Sequence, residues 1–158
     1  MRPHRLDGRF RREVKDGTVE SVPWDATDVI ANGWEWRPRP IFQTYAAYTS
    51  GLDRLNADHI RGDRAADFAV LRWQAIDEHH PYFVDSRSYR ALLDRYDVAL
   101  NGMHVLLMER RSKPRYGELR PLGSTTARWG EKIAVPRRES VVIMEAHAQT
   151  SLLGDLKR

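Results

Sequence analysis

Short apolar runs of strand length alternate along this chain with segments whose apolar residues recur at helical spacing. That order leaves few architectures open. Residues 18–22 alternate as a half-buried strand does, and Pro23 stops the run. Asp25 is placed to cap a short helix over 26–31, which Asn32-Gly33 would end in a left-handed cap. Pro38 and Pro40 force the residues before them into extended geometry. Residues 41–45 form a short β-rich run. Ser50 then opens a helix with Leu52, Leu55 and Ile60 as its apolar stripe and Gly62 as its end. Residues 67–73 make the clearest buried strand. Asp85 or Ser86 caps a third helix, in which Tyr89, Leu92, Leu93 and Tyr96 recur at helical spacing. Two further apolar runs flank Asn101-Gly102, the strongest short signal for a hairpin turn. Residues 132–135 and 141–148 read as additional strands.

The pattern predicts an α/β fold: a three-layer, mostly parallel sheet with flanking helices, plus additional β structure in the C-terminal third. Residues 1–17, rich in arginine, read as a basic tail or linker. Residues 18–158 read as a single α/β domain that looks unfinished at its C-terminal end. The expected geometry places 41–45 beside 68–73 as inner parallel strands.

Bulk properties narrow the function. The 158 residues suit one domain. The chain has no cysteine, which removes disulfides, thiolate nucleophiles and Cys-ligated zinc. The longest apolar run, Val105-Leu106-Leu107-Met108, is far short of the roughly 20 residues that span a bilayer. The net charge of +4 is scattered among 22 acidic residues, which reads as an ordinary solvated surface.

The densest polar and aromatic cluster is Arg37, Arg39, Gln43, Tyr45, Tyr48, Thr49, Asp53 and Asn56. On the expected topology it surrounds a strand-to-helix loop at the carboxyl edge of the sheet, where α/β domains bind ligands. A helix start there favours an anion, and the two arginines supply bidentate donors. Nothing resembles a Gly-x-Gly-x-x-Gly or Walker loop, so no nucleotide or other cofactor is expected. Asp77, His79 and His80 are weaker candidates. Adjacent residues of an extended chain point apart, so no metal site is expected, though an Asp–His pair can do acid–base work. Arg110 to Tyr116 is the best basic patch. It lacks the spaced aromatics of a nucleic-acid platform, which argues against that partner.

Residues 22–24, 31–33 and 37–49, with Leu52-Asp53, Leu55-Asn56-Ala57, Ile76-Asp77, His80-Pro81, Arg90-Ala91-Leu92-Leu93 and Tyr96, carry a resemblance. The chain resembles the soluble region near the C-terminus of large bacterial polytopic membrane proteins. Some of these are similar to lipid-linked-sugar glycosyltransferases of the C-shaped superfamily. The resemblance implies an extracytoplasmic, membrane-tethered α/β domain whose partner is the membrane-embedded remainder of a longer chain. It carries no catalysis over, because the catalytic acids of such enzymes lie in membrane loops. The expected function is therefore a non-catalytic accessory or recognition domain for a glycan, a sugar phosphate or a lipid-linked sugar. The alternatives are a small hydrolase or transferase using Asp77, His79 or His80, and a cytoplasmic nucleic-acid binder. The sequence gives no oligomeric state.

Overall fold

A computed structural model describes residues 4–74, 78–147 and 149. The chain divides into two units, residues 1–119 and 120–158. The first holds strands β1 (Thr18–Val22), β2 (Glu35–Trp36), β3 (Phe68–Leu71), β4 (Tyr96–Asn101) and β5 (Leu106–Arg110). It also holds helices α1 (Gly8–Val14), α2 (Thr27–Ala31), α3 (Ser50–Arg61) and α4 (Ser86–Arg95). The strands form one sheet in the order β2-β1-β3-β5-β4. β1 runs parallel to both β2 and β3, with Glu20 opposite Ala69 and Val22 opposite Leu71. β5 is antiparallel to β3 and to β4, and the β4–β5 hairpin supplies the late β structure.

Strand alternation sends side chains to two covered faces. Val19, Phe68, Val70 and Leu107 pack with Phe10 and Val14 of α1 and Val29 of α2. Val22, Ala69, Leu71 and Met108 pack with Ala57 and Ile60 of α3 and Ala91 and Leu92 of α4. The result is the expected three-layer α/β architecture. It also explains why all five residues of β1 are buried, where alternation alone predicts one wet face.

Residues 8–14 are not tail. The Asp7 carboxylate accepts from the Arg9 amide at 2.7 Å and caps α1, and Phe10 and Val14, one turn apart, enter the core. The arginines at 9, 11 and 12 coat its exposed side and hide this stripe from a composition reading. The next turn needs Gly17: a Cβ there would lie 2.8 Å from the Phe68 ring.

Residues 41–45 do not form a strand. The Asn56 side chain takes both backbone groups of Ile41, donating to its carbonyl at 2.8 Å and accepting from its amide at 2.9 Å. Ile41 therefore has nothing left for a ladder, and β1 takes the place beside β3. Thr44–Ala46 is a short 3-10 turn.

In the second unit the described residues carry no helix or strand, and all but Val142 are exposed. Residues 132–135 and 141–147 are thus not the expected strands, and residue 148 lies outside the described residues. A β-rich run gains little without a partner strand, and none pairs with them among the described residues.

Candidate functional site

The carboxyl ends of the parallel strands β1 and β3 point to one edge of the sheet. There β1 runs into Pro23-Trp24 and β3 into Arg72-Trp73-Gln74. In such sheets this edge is where ligands bind. Arg72 is fixed there: its amide donates to the Val22 carbonyl at 2.9 Å, and its guanidinium holds the buried Asp28 carboxylate through two nitrogens.

Aromatic rings collect at this edge. Trp24 stands edge-on to Tyr45 with centroids 6.0 Å apart. Trp73 stands edge-on to His80 at 5.2 Å and to Tyr89 at 6.0 Å, and His80 in turn meets Phe83 at 5.6 Å. Phe83 is 79% exposed and Trp73 60% exposed, so much of each side chain is open to a partner. Two depressions adjoin them. A narrow cleft between Trp24, Tyr45, Pro81 and Tyr89 has about 10 Å³ of free space, which is one water's worth. An open groove of about 280 Å³ lies between Trp73 and the hairpin turn, lined also by Asn101, Met103 and His104. Its size is close to the lower bound for small-molecule sites, roughly 300 Å³. The turn is held tight at Gly102, where a Cβ would come within 3.1 Å of both Phe10 and Val105.

Beneath the edge, on the α3/α4 face, lies a buried polar layer. Glu20 points inward from β1 and pairs with Arg39; both side chains are 1% exposed. The other guanidinium contacts of Arg39 go to the carbonyls of Ser21 at 3.2 Å, Pro23 at 2.7 Å and Phe42 at 2.8 Å. Asp53 of α3 caps α4 from across the helix pair, accepting from the amides of Arg87 at 3.0 Å and Ser88 at 2.9 Å and from the Ser88 hydroxyl at 2.9 Å. Asp85, at the N-cap position itself, is buried, and neither carboxyl oxygen has a hydrogen-bond donor among the described residues. Its Ser88 neighbour spends its hydroxyl proton on Asp53. Burial pushes the Asp85 carboxyl up to about 7; Arg39 and the Ser88 hydroxyl oppose the shift, and the Asp53 and Glu20 charges add to it. The Tyr89 hydroxyl is also buried without a partner among the described residues, and burial with the Asp85 charge beside it raises the phenol. His59 on α3 is half-buried, and burial holds its imidazole toward the neutral form.

The residues singled out in the sequence do not share one surface. Arg39, Asp53 and Asn56 are buried and committed to the internal contacts above. The Thr49 hydroxyl caps α3, accepting from the Leu52 amide at 3.2 Å. Arg37 is exposed beside Glu35 at 3.5 Å, and its amide donates to Val19. Gln43 is half-buried and begins the 3-10 turn. Tyr48 is 81% exposed, with no place among the edge rings. Only Tyr45 of that set reaches the edge. Of the weaker candidates, His79 is exposed, His80 joins the edge rings while its Nδ1 accepts from the Tyr82 amide at 3.3 Å, and Asp77 lies outside the described residues. Among the described residues no group of three or more acidic or imidazole side chains is arranged to hold a metal ion.

The basic segment 110–116 is largely spent on the protein itself. Arg110 reaches the Gly62 carbonyl at 2.8 Å, Arg111 pairs with Asp97, and Arg115 holds Asp97 at 2.7 Å together with the carbonyls of Leu93 and Tyr96. Trp24, Trp73, Phe83, Asn101, His104 and Asp85 were not among the sequence candidates. Asp85 read only as a possible cap of the third helix, though it stands one turn before Tyr89, in line with the apolar stripe of α4. Set against known protein families, curated proteins and solved structures, the chain matches none.

Proposed function

We propose that this chain is a non-catalytic recognition domain of a bacterial membrane protein and that its carboxyl edge takes a glycan or the sugar of a lipid-linked sugar. The observation that carries the reading is the open Trp73 ring beside the 280 Å³ groove, with an amide and an imidazole on the facing turn. A pyranose has one face of C–H groups and a rim of hydroxyls. An exposed indole complements the first, and Asn101 and His104 offer donors and acceptors to the second. Phe83, which meets His80 beside Trp73, offers a further exposed ring. The attachment to a membrane is supported by the resemblance alone; no helix among the described residues is long and apolar enough to cross a membrane.

The reading is tested by calorimetric titration of the full chain with chitotetraose, cellotetraose and a mannose tetrasaccharide. At least one is expected to bind in the micromolar to millimolar range, and W73A is expected to lose that binding while keeping its thermal unfolding midpoint. Binding that survives W73A, or no binding by any of the three, would remove the assignment.

A further inference from the structure

Asp85 sits where the aromatic edge meets the buried polar layer. Val84 before it and Tyr89 one turn after it both line the narrow cleft. The Tyr89 ring packs edge-on against Trp73, and so does His80, on the approach to α4. Segment 80–89 is therefore the support on which Trp73 rests.

The groups facing Asp85 are Arg39 from the segment after β2, Asp53 from α3, Glu20 from β1, and Ser88 and Tyr89 from α4 itself. Arg39 is already divided between Glu20 and three carbonyls. Asp53 holds the α4 amides that would otherwise receive an N-cap carboxylate. An ionised Asp85 thus finds two like charges, a cation divided among other partners and a Ser88 hydroxyl shared with Asp53, whereas a neutral one is tolerated. We infer that the protonation state of Asp85 controls the pose of Trp73: with the carboxyl neutral, segment 80–89 packs as described, and ionisation loosens it and withdraws the wall of the groove. The consequence for binding rests on the recognition reading above; the movement itself does not.

The test is an NMR titration of the full chain from pH 5 to 9, following the Asp85 side-chain carboxyl carbon and the Trp73 indole N–H. Both are expected to move with one midpoint near 7, and the Trp73 signal is expected to stop titrating in D85N. Because His80 touches Trp73, H80Q is compared and is expected to keep the transition. A carboxyl already ionised at pH 5, or a Trp73 signal that titrates alike in D85N, overturns the inference; the first outcome needs no variant to fold. If chitotetraose binds, its Kd is expected to rise up to about tenfold between pH 6 and 8, with little change in D85N. Binding indifferent to pH in this range overturns the inference. A titrating Trp73 with no sugar binding at any pH supports it and refutes the recognition reading instead.

Discussion

The two faces of the sheet are built on different terms. The face covered by α1 and α2 is filled by Phe10, Val14, Val19, Val29, Phe68, Val70 and Leu107. The face covered by α3 and α4 has a comparable apolar cluster but also buries Glu20, Arg39, Asp53, Asn56, Asp85 and Ser88. Burying charge costs more than burying methyl groups stabilises, so this polar layer is a poor way to gain stability. It does achieve position. Arg39 and Asn56 pull the irregular segment 37–43 onto the sheet, and Asp53 sets the start of α4, where the aromatic edge is anchored. The α1/α2 face is the more apolar, with the buried Asp28 of α2 paired to Arg72 at the edge; the α3/α4 face carries the larger polar layer, which sets the start of α4.

The sharpest way to break this contrast is R39L. It leaves Glu20 buried and uncompensated, and urea unfolding is expected to show a loss of about 3–5 kcal/mol. The double variant E20L/R39L is expected to recover most of that loss in stability without restoring the order of segment 37–43. F10A on the opposite face is expected to cost about 3–4 kcal/mol through transfer and cavity terms. Its unfolding free energy should keep the wild-type pH dependence, because no group of the polar layer is touched.

Asp85 gives the contrast a sign. Its carboxyl titrates near 7 in the folded chain and near the ordinary 3.8 when unfolded. The folded state therefore holds the extra proton between those values. The stability linked to this group is full below about 4, falls as pH rises through about 7, and is flat above. D85N is expected to be more stable than wild type by about 2–4 kcal/mol at pH 8, with the gain gone at pH 4; a gain that does not depend on pH would contradict this. The smallest effect expected is that of N56A, a loss of about 2 kcal/mol from the unpaired Ile41 backbone groups, with increased amide exchange confined to residues 37–46.

Periodicity was enough for elements whose burial is apolar. Phe68 to Leu71, the Leu92 stripe and the Asn101-Gly102 hairpin stand where spacing puts them. It failed where buried positions are polar. On α3 the buried residues are Asp53, Asn56, Ala57 and Ile60, while Leu55 is half exposed, so an apolar stripe through Leu52 and Leu55 points to the wrong side of the helix. The same substitution of polar for apolar turned Arg39 and Asn56 into apparent ligand groups. Their chemistry was legible as hydrogen bonding, but whether the partner is a ligand or the backbone depends on a fold-back of 37–43 that no local pattern encodes. Trp73 was legible as the end of a strand. Its role depends on what stands across from it, the turn at 101–104, some thirty residues on.

The most direct test of the account is a chemical-shift map of the full chain on addition of chitotetraose at pH 6. Changes concentrated at Trp73, Asn101 and His104, spreading to Tyr45 and Phe83, are the predicted result. Changes centred on Tyr48 and Arg37 or on residues 120–147, or an unperturbed spectrum at millimolar sugar, would contradict it.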